Sequence, residues 1–275
     1  MLCVQKNQRA ALLQFLPQQQ QAEVRGAGGP GSTGFLAFPS EPVCSVEDAD
    51  WSTSLRKRLL CKRPECNQQA LTTASTTCKL TTAAGVVCGL PLDEQGYHSC
   101  TCQAGGGVVR RHGHTCRAVG SLITRWAAAP PLYEQRVPSW DRLSRSRQPG
   151  ADAVERAVLD LEYQADDGRL WLDVSIRHSA AGSTTEVAAA ARRDGEAARR
   201  GEREKHTRYP GDRLVPFVVE SGGRLGGEAR QWLRTHVAQL PADTQQQELA
   251  RAYKAVSCAV QGQLARQLRK AAGLH

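Results

Sequence analysis

Two segments with alternating apolar and polar residues constrain this fold most: AVLDLEYQ at residues 157–164 and RLWLDVSIRH at residues 169–178. Side chains of a strand point alternately to its two faces, so the pattern predicts a hairpin with one buried face. Asp167-Gly168 is a strong signal for a two-residue turn. With that turn, Glu162 would lie opposite Asp173, and Asp160 opposite Ser175. The core face would carry Leu159, Leu161, Tyr163, Leu170, Leu172, Val174 and Ile176.

The opposite face of the predicted hairpin is crowded with carboxylates: it holds Asp160, Glu162 and Asp173, with Ser175 and Arg177 beside them. Like charges that face each other on a sheet are destabilising, and a bound divalent cation offsets that repulsion. Mg²⁺ prefers hard oxygen ligands and usually takes one or two carboxylates. We therefore predict Asp160 and Asp173 as Mg²⁺ ligands and Glu162 as an accessory acid. The alternative is an exposed polar face on which Arg177 screens the acids.

A lysine follows on the next predicted helix. This helix ends in GEREKHTRYPG, which offers Lys205 close to Tyr209. In a metal-dependent nuclease, carboxylates hold the ion, and a cation positions water or stabilises charge that develops on the phosphate. Lys205 is therefore a candidate catalytic residue beside Asp160, Asp173 and Glu162. Its alternative role is surface charge on an arginine-rich helix.

The cysteines are concentrated in one segment, because eight of the ten lie between Cys44 and Cys116. The N-terminus lacks a clean apolar run, so we expect no signal peptide and an intracellular protein whose thiols bind metal rather than form disulfides. His98 and Cys102 have knuckle-like spacing, and Cys88 precedes them. We predict Cys78 as the fourth zinc ligand, with Cys66 and Cys100 as alternatives. Four protein ligands would make the zinc structural.

The charge balance favours an anionic partner. The chain has 36 Lys+Arg against 27 Asp+Glu, a formal net charge of +9, which indicates nucleic acid and a nuclear location. Arg110, Arg111 and His112 follow a glycine-rich strip and are candidate phosphate contacts; their alternative role is an ordinary solvated surface. No stretch approaches the roughly 20 apolar residues that span a bilayer.

The remaining pattern predicts four parts and a series of elements. Residues 1–40 read as a flexible tail, 41–116 as a cysteine-rich knuckle segment, 117–240 as the catalytic domain and 241–275 as a C-terminal amphipathic helix. Within them we expect helices at 117–128, 184–207, 227–239 and 244–271, strands at 132–137 and 214–220, and a loop at 138–152. The apolar stripe of the last helix should pack on the core rather than dimerise. It consists of Leu249, Tyr253, Val256, Val260, Leu264 and Leu268.

Five segments between about residues 26 and 227 occur in an order that resembles a known family. They are GAGGPGSTGFLAFPS, SLRKRLL, CGLPLDEQGYHSCTCQAGGGVVRRH, AVLDLEYQADDGRLWLDVSIRH and EREKHTRYPGDRLVPFVVESGGRLG. The order resembles the C-terminal region of site-specific non-LTR retrotransposon proteins, where a zinc knuckle precedes a restriction-like endonuclease of the PD-(D/E)xK class. The resemblance implies an α/β (α+β) fold: a small PD-(D/E)xK core of mixed sheet flanked by helices, with an N-terminal knuckle and a long C-terminal helix.

The resemblance also implies residue roles. Asp160 would be the first acid, Asp173 the second, and Lys205 the lysine displaced from the strand onto the following helix. Arg111-His112 would be the family's Arg-His element. The chain departs from the pattern in three places, which carry Ser175, Leu159 and Gly113 where the family or wider class usually has lysine, proline, and Asp or Asn. Asp152, in the sequence QPGAD, is a competing first acid.

The sequence therefore supports three hypotheses. The first is an Mg²⁺-dependent endonuclease that hydrolyses phosphodiester bonds and nicks DNA, with a structural Zn²⁺. The second is a catalytically decayed remnant that binds zinc and nucleic acid, DNA or RNA, with no enzyme activity. The third is a protein that binds a partner through its C-terminal helix, and the oligomeric state is open under all three.

Overall fold

A computed structural model describes residues 11, 13–37, 44–62, 76–127, 129–144 and 153–274. The described helices are α1 (Gln18–Gly26), α2 (Asp48–Arg58), α3 (Tyr97–Thr101), α4 (Gly107–Trp126), α5 (Thr184–Arg192), α6 (Glu196–Arg208), α7 (Gly227–Ala238) and α8 (Gln245–Ala271). The strands are β1 (Leu132–Arg136), β2 (Arg142–Ser144), β3 (Ala153–Glu155), β4 (Val158–Ala165), β5 (Gly168–Arg177) and β6 (Leu214–Glu220). Within these ranges, every helix is too short or too polar to cross a bilayer.

The central sheet is mixed and has the strand order β1-β4-β5-β6. β4 runs antiparallel to both β1 and β5, whereas β6 runs parallel to β5. A parallel neighbour requires a crossover connection, and α5 and α6 supply it. β2 and β3 form a separate two-stranded ribbon. The coarse fold class predicted from the sequence, a mixed sheet with flanking helices and a long C-terminal helix, is confirmed.

The hairpin turn lies one residue earlier than predicted. Ala165 pairs with Gly168, so Asp166 and Asp167 form the turn, and Glu162 pairs with Trp171 rather than Asp173. Gly168 begins the returning strand and has φ +123°, a conformation that favours glycine. The last pair of the ladder is Leu161↔Leu172. Asp160 and Asp173 follow directly beyond it, on neighbouring strands.

The main core lies between one face of this sheet and the helices α4, α7 and α8. Its buried residues include Leu161, Leu172, Val174 and Phe217 from the strands, and Val119, Ile123, Trp232, Leu233, Val256 and Val260 from the helices. Leu249 and Tyr253 pack against this cluster, and Leu264 and Leu268 cover Cys100. The prediction that the stripe of the last helix packs on the core is confirmed.

A second apolar cluster modifies the predicted core face. Leu159 packs with Val137, Ala157, Tyr209 and Leu214 rather than with the larger core. Trp140 and Trp171 lie against the same cluster. Because Tyr209 directly follows α6, this cluster fixes the end of that helix against the edge of the sheet.

Element boundaries differ from the sequence prediction in three places. α4 begins at Gly107, ten residues before the predicted start, so residues 107–116 belong to a helix. The predicted helix 184–207 is interrupted before α6, whose N-cap Gly195 has φ +75°. The predicted loop 138–152 contains β2 and a short 3-10 helix, Pro138–Trp140; its residues 145–152 lie outside the described residues.

The predicted N-terminal tail, residues 1–40, includes packed structure in its described part. Ala22 of α1 is buried against Val187, Ala190 and Ala191 of α5. Phe35 is buried against Ala255 and Cys258 of α8. These few small and aromatic residues make the apolar contacts. Glutamine and glycine surround them in the sequence, so the composition of the segment did not indicate this packing. The four domain boundaries stay predictions.

Candidate functional site

Asp160 and Asp173 meet beyond the end of the β4–β5 ladder. Asp160 Oδ2 accepts a hydrogen bond of 2.7 Å from the backbone N–H of Val174, so the carboxylate reaches across from β4 to β5. Asp173 is 5% exposed. Asp160 is close enough to raise the pKa of Asp173. We call them, with Lys205, the acid-pair site.

Lys205 reaches this site from α6. Its Nζ lies 2.7 Å from Asp173 Oδ2. The helix can approach the sheet because Gly201, one turn earlier, has no side chain: a Cβ there would lie 3.0 Å from Val218 Cγ1 and 3.1 Å from Arg177 Nε. The predicted meeting of two acids from the hairpin with a lysine from the following helix is therefore present in the structure.

The acid-pair site brings charged groups close together and partly shields them from water. Burial raises the pKa of Asp173 to about 6, Lys205 opposes that shift, and the neighbouring Asp160 adds to it. Although Lys205 is close, Asp173 Oδ2 has no hydrogen bond of normal geometry among the described residues. A buried oxygen of this kind, beside a second carboxylate, has the chemistry that Mg²⁺ prefers. The residues present therefore fit a hard divalent cation.

His112, predicted as a contact with nucleic acid, lies at the acid-pair site. Its Nε2 lies 3.2 Å from Asp160 Oδ2 and 3.2 Å from the carbonyl oxygen of Val174. The hydrogen bond to Asp160, followed by that to Cys116, raises the pKa of His112 to about 10. His112 and Cys116 are four residues apart on α4, one turn of helix. This four-residue spacing is visible in the sequence. It places both side chains on one helix face because α4 begins at Gly107 and not at residue 117.

The two other predicted contacts with phosphate, Arg110 and Arg111, differ in burial. Arg111 is 4% exposed, and its guanidinium donates to Cys100 O at 3.0 Å and Gln267 Oε1 at 3.3 Å. It is used inside the protein, which corrects its predicted role as a phosphate contact. Arg110 is exposed, and its Nη2 donates to Gly105 O at 2.5 Å, so it stays a candidate.

Glu162 does not join the acid pair. Its Oε2 accepts a 3.0 Å hydrogen bond from Trp171 Nε1, and its Oε1 lies 3.2 Å from Arg169 Nε. The shifted turn explains this, because Trp171 and not Asp173 is its cross-strand partner. The prediction of Glu162 as an accessory acid is therefore corrected. Asp152, the competing first acid, lies outside the described residues.

A second cluster gathers all four predicted zinc ligands: Cys78, Cys88, His98 and Cys102, whose ligand atoms all lie within 4.8 Å of one another. Zn–S bonds of about 2.3 Å and Zn–N bonds of about 2.0 Å place tetrahedral ligands about 3.8 Å apart for two sulfurs and about 3.6 Å for sulfur and nitrogen. Cys78 Sγ lies 3.8 Å from Cys102 Sγ, and Cys88 Sγ lies 3.4 Å from His98 Nε2. We call these residues the cysteine site; they can hold a metal ion such as zinc.

Short local structures position the ligands of the cysteine site. Cys78 N–H donates to Leu90 O, and Cys88 N–H donates to Leu80 O, both at 2.8 Å, so the two cysteines lie side by side. Asp93 begins the turn that contains His98: its Oδ1 accepts from Tyr97 N at 2.9 Å, and its Oδ2 accepts from His98 N at 3.0 Å. Cys102 follows as the C-cap of α3.

Backbone N–H groups point at the three sulfurs. The sulfurs of Cys78, Cys88 and Cys102 accept from the N–H groups of Leu80, Leu90 and Ala104 respectively. Gly89, with φ +68°, adopts the left-handed conformation that turns the Leu90 N–H back towards Cys88. This bond lowers the pKa of Cys88, whereas burial raises the pKa of Cys78 and raises that of Cys102 to about 12. Such outer hydrogen bonds orient metal ligands.

The alternative ligands for the cysteine site do not take part in it within the described residues. Cys100 is fully buried beneath Leu264 and Leu268 of α8, so its thiol faces the apolar interior. Cys66 lies outside the described residues.

No family model, curated protein or solved structure with which the chain was compared matches it.

Proposed function

We propose that this protein is an Mg²⁺-dependent endonuclease that nicks DNA, with a restriction-like PD-(D/E)xK core of retrotransposon origin. The observation that carries the proposal is the meeting of Asp160, Asp173 and Lys205 from three separate elements. An exposed polar face would not require a buried aspartate whose oxygen lies 2.7 Å from a lysine. The mixed sheet flanked by helices agrees with the core that the sequence resemblance implies.

Each residue of the acid-pair site has a role in the proposed hydrolysis. Asp160 and Asp173 would hold Mg²⁺, which supplies Lewis-acid stabilisation of charge on the scissile phosphate when bound. The Lys205 ammonium would exchange its contact with Asp173 for one with the attacking water or the phosphate oxygen. Asp160 is oriented for its role by the Val174 N–H, so its side chain need not reorganise when the ion binds.

The cysteine site would have a structural role under this proposal. Four protein ligands leave zinc no open position for a substrate. Zinc would instead hold residues 76–106 against α4 and α8, since Lys79 N donates to Ala271 O at 2.8 Å and Gln267 Nε2 donates to Ser99 O at 2.7 Å. The exposed Arg110, one turn into α4, would then contact phosphate, in keeping with the net charge of +9.

A plasmid-nicking assay tests the enzyme proposal. Purified protein should convert supercoiled plasmid to the relaxed form with Mg²⁺ and not with EDTA. Asp173→Asn and Asp173→Ala should abolish this conversion while circular dichroism and the melting temperature show a folded chain. Asp166→Asn is a matched control, because Asp166 lies in the turn of the same hairpin, is exposed, and should leave nicking unchanged.

Undiminished nicking by both Asp173 variants would contradict the proposal, because a contaminating nuclease would not respond to them. Lack of nicking by the native chain at any Mg²⁺ or Mn²⁺ concentration would favour the second function below.

The second candidate function is a zinc- and nucleic-acid-binding protein without catalysis. The observation that favours it is that both acids already have protein cations beside them: His112 at Asp160 and Lys205 at Asp173. Ser175 also stands where the wider class has lysine. Under this reading, plasmid binding measured by gel shift persists in EDTA and weakens with salt, and no relaxed product forms.

A further inference from the structure

A third group of metal-ligating side chains lies at the junction of α4 and the sheet. A ring nitrogen of His112, Cys116 Sγ and a carboxylate oxygen of Asp160 all lie within 4.8 Å of one another. The sequence assigned no metal role to His112 or Cys116. We propose that these three residues form a second transition-metal site, which takes Zn²⁺ and is distinct from the cysteine site.

The distances fit a tetrahedral ion. Zn–N and Zn–O bonds of about 2.0 to 2.2 Å and Zn–S bonds of about 2.3 Å place nitrogen about 3.4 Å from oxygen and about 3.6 Å from sulfur. His112 Nε2 lies 3.2 Å from Asp160 Oδ2, and Cys116 Sγ lies 3.7 Å from each ring nitrogen of His112.

The elements that carry the ligands are rigid. His112 and Cys116 occupy one face of α4, four residues apart, in a helix that continues to Trp126. Cys116 is 6% exposed and belongs to the main core, next to Val119 and Val174. Asp160 is oriented by the Val174 N–H. Side chains held in this way need little reordering to bind an ion.

The donor set selects the metal. A thiolate with an imidazole and one carboxylate suits Zn²⁺ or Co²⁺ and is poorly matched to Mg²⁺, which prefers oxygen ligands. Three protein ligands leave the fourth position of the ion open, unlike the cysteine site. The side chain of His112 is 37% exposed, which provides a path for the ion from solvent. Nothing in this proposal depends on nuclease activity.

The test is the zinc content of the reduced full-length chain after loading with Zn²⁺ and exchange into metal-free buffer. Elemental analysis should give two zinc ions per chain for the native sequence and one for each of Cys116→Ala and His112→Gln. Cys258→Ala is the matched control, since Cys258 is also a buried cysteine but packs with Phe35 and Cys44 in another cluster; it should keep two. Cys88→Ser should lose the ion of the cysteine site and keep the other.

Co²⁺ loading provides a readout that does not depend on counting. The difference spectrum of the native chain minus Cys116→Ala should contain a thiolate-to-cobalt band from one additional sulfur ligand. The difference spectrum of the native chain minus Cys258→Ala should be flat. A single zinc per native chain that Cys88→Ser removes would overturn the proposal, as would two zinc ions retained by both Cys116→Ala and His112→Gln. His112→Gln alters a partly exposed side chain, so it keeps the test decisive if Cys116→Ala is unstable.

Discussion

The cysteine site and the acid-pair site are assembled in opposite ways. The cysteine site is drawn from the short span Cys78 to Cys102, where isolated bridges and a five-residue helix supply the backbone structure. Nearby apolar side chains face solvent: Val86 is 63% exposed and Leu90 54%. The acid-pair site, in contrast, stands directly above the fully buried Leu161 and Leu172. In the cysteine site the candidate ligands themselves form the centre of the local structure. In the acid-pair site an apolar core positions the charged side chains.

This difference determines what structure each region would lose if a bound metal ion were removed. A segment that buries little apolar surface relies on metal binding for its folding free energy. A sheet with a continuous apolar core keeps its fold when a carboxylate beside that core changes.

Loss of a thiol ligand should unfold the cysteine-rich region selectively. Cys88→Ser removes one of the proposed zinc ligands, and structural zinc sites contribute on the order of 10 kcal/mol to small domains. We expect amide hydrogen exchange to lose nearly all protection over residues 76–102 and to stay unchanged over β4, β5 and β6. The exposed Cys61 provides the control Cys61→Ser, which should match the native chain. Retained protection in Cys88→Ser would show that both regions are built around apolar cores.

Removal of the lysine should affect chemistry more than stability in the acid-pair site. Lys205→Ala should reduce Mg²⁺-dependent nicking by about 10² to 10³-fold, the cost of losing one preorganised group that stabilises charge. Lys205→Arg should recover part of the rate because it keeps the cation. Arg203, on the same helix and 64% exposed, gives the control Arg203→Ala, with a rate within about twofold of native. A Lys205→Ala enzyme of native rate would remove Lys205 from the mechanism.

The junction of the two regions should be sensitive to acid. His178, which follows β5, packs edge-on against Tyr97 of α3 with ring centroids 6.2 Å apart. Its Nδ1 accepts from Ala180 N at 3.2 Å, and its Nε2 is shielded from solvent with no hydrogen-bond partner in the described part of the chain. Burial first, and then Lys57 and Arg111, lower the pKa of His178 to about 3 against the opposing effect of Asp93.

The sign of this effect follows from linkage. The unfolded chain binds the histidine proton below its ordinary pKa of about 6.5, and the folded chain does not, so the stabilising contribution is lost as pH falls from about 6.5 towards 3. Between pH 7 and pH 5 the native chain should lose about 2 kcal/mol more of its unfolding free energy than His178→Asn, measured with urea. Asparagine can keep the acceptor for Ala180. Parallel pH curves for the two proteins would show that this junction is open to water.

The smallest effect should come from Glu162, which marks the boundary of the acid-pair site. Glu162→Gln keeps an acceptor for Trp171 and loses the partly exposed ion pair with Arg169. We expect a change in unfolding free energy of about 0.5 kcal/mol and a nicking rate within about threefold of native. A loss comparable to that of Lys205→Ala would return Glu162 to the catalytic set.

Local sequence patterns predicted much of the fold, because the periodicity of apolar residues in each segment is typical of either a helix or a strand. β6 at Leu214–Glu220 has the predicted bounds, and α7 and α8 agree with prediction to within one residue. The hairpin was found from alternation, but its register was not. A two-residue turn can be closed by Asp-Asp or by Asp-Gly, and a shift of one residue changed the partner of Asp173 from Glu162 to Asp160.

The sequence by itself determined the residue types of both sites. The four candidate zinc ligands could be named from spacing, because Cys78 to Cys102 lie close together along the chain. Asp160, Asp173 and Lys205 could be named because alternation and the element order place them on one side of the sheet. Tertiary structure alone decided which polar groups are buried. Arg111 turned inward to Cys100 and Gln267, and His112 with Cys116 turned towards Asp160. Contacts between residues this far apart in the chain depend on how helices pack on the sheet, and no local periodicity encodes that packing.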